Sequence, residues 1–148
     1  MRFEMLDSGD FDDEAPTNPE LRALRPRVLV VEDDATLRGL IAARMRREAF
    51  EVIEAGSGHE ALDLLALSMG DDLDLVVMDV RIPGTSGLDI ARMLRANDWE
   101  LPVVLMTAFP DAEIVAEAAR LELALLAKPF LLDQLSDAAI AALTARAA

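Results

Sequence analysis

A chain of 148 residues with 53% hydrophobic and 28% charged residues, no cysteine and a formal charge of −14 can hide about 70% of the surface its unfolded form exposes, so a hydrophobic core alone can hold it together. With 28 acidic residues against 14 basic ones it lacks the cationic surplus that grips a phosphate backbone, which excludes nucleic acid as its main ligand. The lack of cysteine rules out a disulfide framework and thiolate-bound zinc, and neither a secretory leader nor an apolar run of about 18 residues is present, so a cytoplasmic protein with no membrane insertion is expected.

Residues 1–26 (MRFEMLDSGDFDDEAPTNPELRALRP) carry seven acids, three arginines and three prolines with no sustained helical or strand period, and read as an acidic disordered leader. Phe3, Met5, Leu6 and Phe11 among the acids fit a docking segment that folds on a partner; a solvated tail or a misplaced start is the plainer alternative. From Arg27 to the end, residues 27–148, apolar runs of strand length alternate with amphipathic stretches of helix length, as in βα units around a parallel sheet. The strands are expected at 28–31, 50–54, 73–78, 102–106 and 123–127. The helices are expected at 35–48, 57–68, 86–96, 111–121 and 131–146. The first, third and fourth strand runs are solidly apolar, as strands covered on both faces should be. Leu37, Leu40, Ile41 and Met45 in the first helix, and Ile114, Val115, Ala118 and Leu121 in the fourth, recur at helical spacing and read as core faces. Right-handed crossovers then give an α/β fold, a three-layer, doubly wound, five-stranded parallel sheet that binds its ligand beyond the carboxyl ends of the strands.

Those ends carry chemistry. Glu32-Asp33-Asp34 follows the first strand, Asp79 the third, Thr107 the fourth, and Lys128-Pro129 the fifth. Taken singly each has a plain explanation: Asp34 caps the first helix, Asp79 starts a turn through Pro83-Gly84, Thr107 ends a strand, Lys128 is a solvated charge. Together they form a complementary set on one edge. Lys128 is the sole lysine among 14 basic residues, all the others being arginine, which suggests that a compact ammonium is required there. Glu32, Asp33 and Asp79 repel one another, and a hard divalent cation, Mg²⁺ or Mn²⁺, relieves this. Lys128 and the Thr107 hydroxyl are suited to a transferring phosphoryl group. With no cysteine and with the only histidine, His59, read as far from this edge, the best nucleophile is Asp79, a candidate for an aspartyl phosphate.

The motifs VLVVEDD, EAGSGHEAL, LVVMDVRIPGTSGLDI, PVVLMTA and KPF, in that order from Arg27 onward, resemble the receiver domain of bacterial two-component response regulators. The resemblance implies the flavodoxin-like strand order 2-1-3-4-5 and phosphorelay signalling, in which Asp79 accepts a phosphoryl group from a histidine kinase or a histidine phosphotransfer protein. It implies that Asp33, Asp79 and the main-chain carbonyl of Arg81 ligate Mg²⁺ while Glu32 acts through water. Thr107, the Ala108 backbone amide and Lys128 would contact the phosphoryl group, and the peptide before Pro129 would be cis. Such a domain catalyses its own phosphorylation and dephosphorylation but is not a turnover enzyme. It would signal to a downstream effector through the face of the fourth helix, fifth strand and fifth helix.

Two departures stand out. The family's usual aromatic three residues before the lysine is replaced by Leu125, so an aromatic swinging inward cannot report the phosphorylated state. The segment RLELALLAKPF lacks the glycine usual ahead of the fifth strand, so the fourth helix and its outlet are expected to sit differently. Arg81 and Phe109, two residues after the acceptor and two after the threonine, are bulky enough to hinder the hydrolytic water, unless both point to solvent. About one helix follows KPF, which reads as a stand-alone receiver. The Ala/Leu-rich stretch 112–145 offers surface for a partner helix or a homodimer, or else merely packs the last helices on the sheet.

Rival readings remain. Gly56-Ser57-Gly58-His59-Glu60-Ala61 satisfies GxGxxG/A literally, the dinucleotide fingerprint, but leaves Glu32, Asp33, Thr107 and Lys128 idle. A Mg²⁺-dependent phosphotransferase or nuclease would call for Asp-x-Asp where Asp79-Val80-Arg81 stands. A degenerate receiver that binds partners without phosphorylation is the main alternative, and the complete acid, threonine and lysine set argues against it. Trp99 reads as structural.

Overall fold

The computed structural model describes residues 25–67 and 72–147, so most of the acidic leader and Ser68, the expected end of the second helix, lie outside the described residues. Ten elements follow one another in chain order: β1 Arg27–Val31, α1 Ala35–Arg47, β2 Glu51–Ala55, α2 Gly58–Ala66, β3 Leu75–Asp79, α3 Gly87–Ala96, β4 Val103–Thr107, α4 Ala112–Arg120, β5 Ala124–Ala127 and α5 Leu132–Ala147. The strands are parallel and ordered β2-β1-β3-β4-β5, so the expected five-stranded doubly wound sheet is observed.

Alternation along the strands builds two cores. Leu29, Val31, Val76, Met78, Val103 and Leu105 face α2, α3 and α4, where Leu65, Ile90, Leu94 and Ala118 meet them. Val28, Val30, Leu75, Val77, Val104 and Met106 face the other way, onto Ile41 and Met45 of α1 and Leu135 and Ala139 of α5. Each of the Val, Leu, Ile and Met side chains among them is worth about 1.5–3 kcal/mol when fully buried. β1, β3 and β4 are buried throughout while β2 and β5, at the edges, are half open, which is why only the inner three read as unbroken apolar runs.

The helix starts are set by side-chain caps. Asp34, Ser57, Ser86 and Asp111 each accept a main-chain N–H of the first turn, satisfying donors that a helix leaves unpaired. These caps explain why α2, α3 and α4 begin one residue later than periodicity suggests. Two residues expected in core faces are not there: Leu40 is 52% and Val115 48% exposed. At about 100° per residue, Leu37, Ile41 and Met45 form one stripe with Leu40 to its side, and Ile114, Ala118 and Leu121 another with Val115 to its side.

Candidate functional site

Register decides which strand ends meet. Val31 pairs with Met78, Asp79 with Met106, and Thr107 with Ala127, so Asp79 and Thr107 are the last residues of their strands rather than the first beyond them. Glu32 comes level with Asp79. By alternation Glu32, Asp79 and Lys128 all project toward the α1/α5 side, whereas Thr107 projects toward the α3/α4 side together with Leu125.

Glu32 is 1% exposed. Its N–H donates to the Ala55 carbonyl at 3.1 Å, and its carboxylate accepts the Lys128 ammonium at 2.8 Å and the Asp34 N–H at 3.0 Å. Asp34 is used as a cap, accepting from Thr36 and Leu37, so the plain reading of that residue holds. Asp33 between them is exposed, and among the described residues its carboxylate receives no hydrogen bond. Asp79, 6% exposed, accepts the Arg81 N–H at 2.9 Å on Oδ1 and the Lys128 ammonium on Oδ2. The Lys128 N–H donates to the Thr107 carbonyl at 2.7 Å, and the Lys128–Pro129 peptide is cis. The buried Thr107 hydroxyl accepts the Phe109 N–H at 3.1 Å, which folds the turn containing Ala108 over the end of β4. Gly87 lets α3 start against this edge: a Cβ there would lie 2.2 Å from the Asp79 carbonyl oxygen.

Burial raises the Glu32 carboxyl above its ordinary pKa, against the pull of Lys128 and the Asp34 amide. Partial burial disfavours the charge on Lys128, but its hydrogen bonds to Asp79 and Glu32 outweigh this and raise its pKa. The ammonium therefore stays charged between two carboxylates. Carboxylate oxygens of Glu32, Asp33 and Asp79 lie within 4.8 Å of one another. An all-oxygen donor set of this kind, one member exposed and free, fits a hard divalent cation that retains waters.

Leu125 is half-buried and packs against the core on the α3/α4 side. His59 is not far from the carboxyl edge, as expected from sequence, but on it: a βα unit starts its helix where the strand ends, and the His59 amide lies 3.7 Å from where a Gly84 Cβ would stand. The literal dinucleotide motif is a helix cap, with Ser57 accepting the Glu60 N–H and the Glu60 carboxylate accepting the Gly56 N–H at 2.6 Å. That carboxylate takes up a main-chain donor that a bound pyrophosphate would use. Gly58 is needed for close approach, since a Cβ would meet Thr85 at 2.6 Å. Arg81 and Phe109 are both exposed, Phe109 by 62%, as the plainer reading has it, but they do not point apart: the guanidinium lies over the ring at 5.2 Å from its centroid. Trp99 packs on the core. The outlet of α4 keeps a left-handed turn without the missing glycine, Glu122 taking φ +59°. Sequence reasoning passes over Arg38, which reaches from α1 to the Glu32 carbonyl at 2.8 Å; only the βα topology brings it there.

Residues 28–140 match the family described as response regulator receiver domain, and the chain belongs to that family. It is 38% identical over 125 residues to the transcriptional regulatory protein PdtaR of Mycobacterium tuberculosis, a match covering 83% of this chain and 59% of that relative, so it spans about three fifths of that protein's length. To sporulation initiation phosphotransferase F of Bacillus subtilis it is 30% identical over 78% of this chain and 91% of the relative. Among solved structures, the non-phosphorylated HemR receiver domain of Leptospira biflexa superposes with a TM-score of 0.74 at 29% identity, covering 81% of this chain and 95% of that one. The receiver domain of Francisella response regulator 1452 gives 0.75 at 25% identity, over 82% and 99%. Among the described residues no helix is long and apolar enough to cross a membrane.

Proposed function

We propose that residues 27–148 form a phosphoacceptor receiver in which Asp79 takes a phosphoryl group from a phosphohistidine of a kinase or a histidine phosphotransfer protein. The observation that carries this reading is the Lys128 ammonium held by both Asp79 and Glu32, beside the exposed carboxylate of Asp33. A carboxylate oxygen of Asp79 attacks phosphorus, the O–P bond forms as the N–P bond breaks, and the electron pair returns to the imidazole nitrogen. Asp33, Asp79 and the Arg81 carbonyl would hold Mg²⁺ or Mn²⁺, with Glu32 acting through water. When bound, the ion supplies positive charge to the phosphoryl oxygens. Lys128 shifts from the Asp79 carboxylate to a phosphoryl oxygen, and the Thr107 hydroxyl and Ala108 amide hold another. Thr107 turning inward on the α3/α4 side, with Leu125 in place of an aromatic, alters the α4-β5-α5 face that a downstream effector reads. The residues are acceptor and stabilisers in a signalling module, regenerated by hydrolysis, rather than a turnover enzyme.

Beryllofluoride, which mimics an acyl phosphate on a carboxylate, tests the site without a kinase. Bound-fluoride signals in ¹⁹F NMR are expected only with Mg²⁺ present, and not for Asp79→Asn. No bound signal from the wild type with Mg²⁺ would overturn the reading in favour of a degenerate receiver that binds partners without phosphorylation.

A further inference from the structure

Arg38 lies in α1, one turn beyond the cap residue Asp34. Its Nη1 donates to the Glu32 carbonyl at 2.8 Å and its Nε to Oε1 of Glu54, at the end of β2, at 3.2 Å. The second Glu54 oxygen stands 3.5 Å from Arg46, so the anchor is itself held. Gly56 makes room for the arrangement, because a Cβ there would stand 3.0 Å from Nη1 and 3.7 Å from Cζ of Arg38. The oxygen that Arg38 grips belongs to the peptide joining Glu32 to Asp33. The other side of Glu32 is fixed too, through its N–H to Ala55 and its carboxylate to the Asp34 N–H.

We infer that Arg38 is a positioning residue for cation binding, acting through the Glu32 carbonyl to aim the Asp33 carboxylate into the acidic cluster. This rests on the proposed receiver reading. Asp33 is the exposed member of the cluster, with no hydrogen bond among the described residues to orient it, so the backbone beneath it sets where the carboxylate starts. A turn held in advance loses less entropy when the ion binds. The fork geometry matters as well as the charge: one guanidinium spans the Glu32 carbonyl and Glu54, which a lysine ammonium at the same place cannot reproduce.

The test is Mn²⁺ binding read by water-proton relaxation, with Mg²⁺ as competitor, on wild type, Arg38→Gln, Arg38→Lys and Asp33→Asn, alongside melting curves in metal-free buffer. Loss of an outer partner of a metal ligand weakens affinity roughly tenfold, and both Arg38 variants are expected to show it while remaining folded. Wild-type affinity in Arg38→Lys would show that charge alone suffices, and a lower Tm with unchanged affinity in both variants would show a merely structural role; either overturns the inference. If the Arg38 variants do not fold, Glu54→Ala, which removes the acceptor at the far end of the guanidinium, must weaken Mn²⁺ binding, and unchanged affinity there overturns it equally. Absent binding in the wild type, or undiminished binding in Asp33→Asn, would refute the metal reading itself.

Discussion

Lys128 joins the two halves of the site, because its ammonium pairs both with Glu32, just past β1, and with Asp79, at the end of β3. In the proposed receiver, Lys128→Ala would remove the charge that faces the transferring phosphoryl group, and phosphoryl incorporation from a small donor is expected to slow by about 10²-fold, measured as initial rate by mass spectrometry. The stacked pair of Arg81 and Phe109 stands beside the same edge, each two residues past a group that would contact the phosphoryl oxygens. Arg81→Asn and Phe109→Ala remove bulk from the approach of the hydrolytic water, and loss of phosphoryl from the phosphorylated protein should quicken roughly threefold or more, about 0.65 kcal/mol of barrier. Unchanged rates in both variants would remove this shielding role. The acids, the hydroxyl and the only lysine are legible as chemistry from the sequence, since they fall at the ends of the first, third, fourth and fifth strands. Arg38 is not, because an arginine on an amphipathic helix looks like solvated surface until β2 is placed beside β1.

At the scale of elements, α1, α3 and α4 end alike. Ala49, Asp98 and Glu122 follow their C-caps with φ of 70°, 58° and 59°. In each case the next residue, Phe50, Trp99 or Leu123, donates its N–H back into the helix, to Met45, Leu94 and Ala118 respectively. This is the Schellman arrangement, with an apolar residue turned back onto the core. A side chain in the left-handed region costs about 1 kcal/mol where glycine costs none. Ala49→Gly, Asp98→Gly and Glu122→Gly are therefore each expected to raise stability by about 0.5–1 kcal/mol, or ~2–3 °C in Tm, read by thermal melting. At the α4 outlet, where RLELALLAKPF lacks a glycine, Glu122 takes the left-handed turn itself, which periodicity cannot decide because the tertiary fold imposes the turn. Between α3 and α4, Arg120 and Arg92 hold the Glu117 carboxyl down at about 2. A depressed carboxyl stabilises the fold above its unfolded pKa of about 4.3 and loses that contribution as pH falls toward 2. Melting of Glu117→Gln against wild type should accordingly show a deficit at neutral pH that closes over this range; a deficit independent of pH would mean that the ion network is not its source.

For the molecule as a whole, the alternation of short apolar runs with amphipathic stretches was enough to read a parallel sheet with helices on both faces, because inner strands must be apolar on both sides and edge strands need not be. Three helix starts lie one residue later than periodicity suggests, because Ser57, Ser86 and Asp111 are caps. Leu40 and Val115 were misplaced because spacing alone does not distinguish the centre of a helical stripe from its flank. The strand order came through the family resemblance and is observed. Register then places Glu32 level with Asp79 and brings Lys128 across from β5, so the site is a property of the whole sheet. This assembly is proposed to make Asp79 a metal-dependent phosphoryl acceptor. The most direct measurement is intact mass after incubation with Mg²⁺ and acetyl phosphate, for wild type, for Asp79→Asn, and for wild type with EDTA. A gain of one phosphoryl group in the wild type, absent from both controls, is the predicted result, and an equal gain in Asp79→Asn would contradict the account.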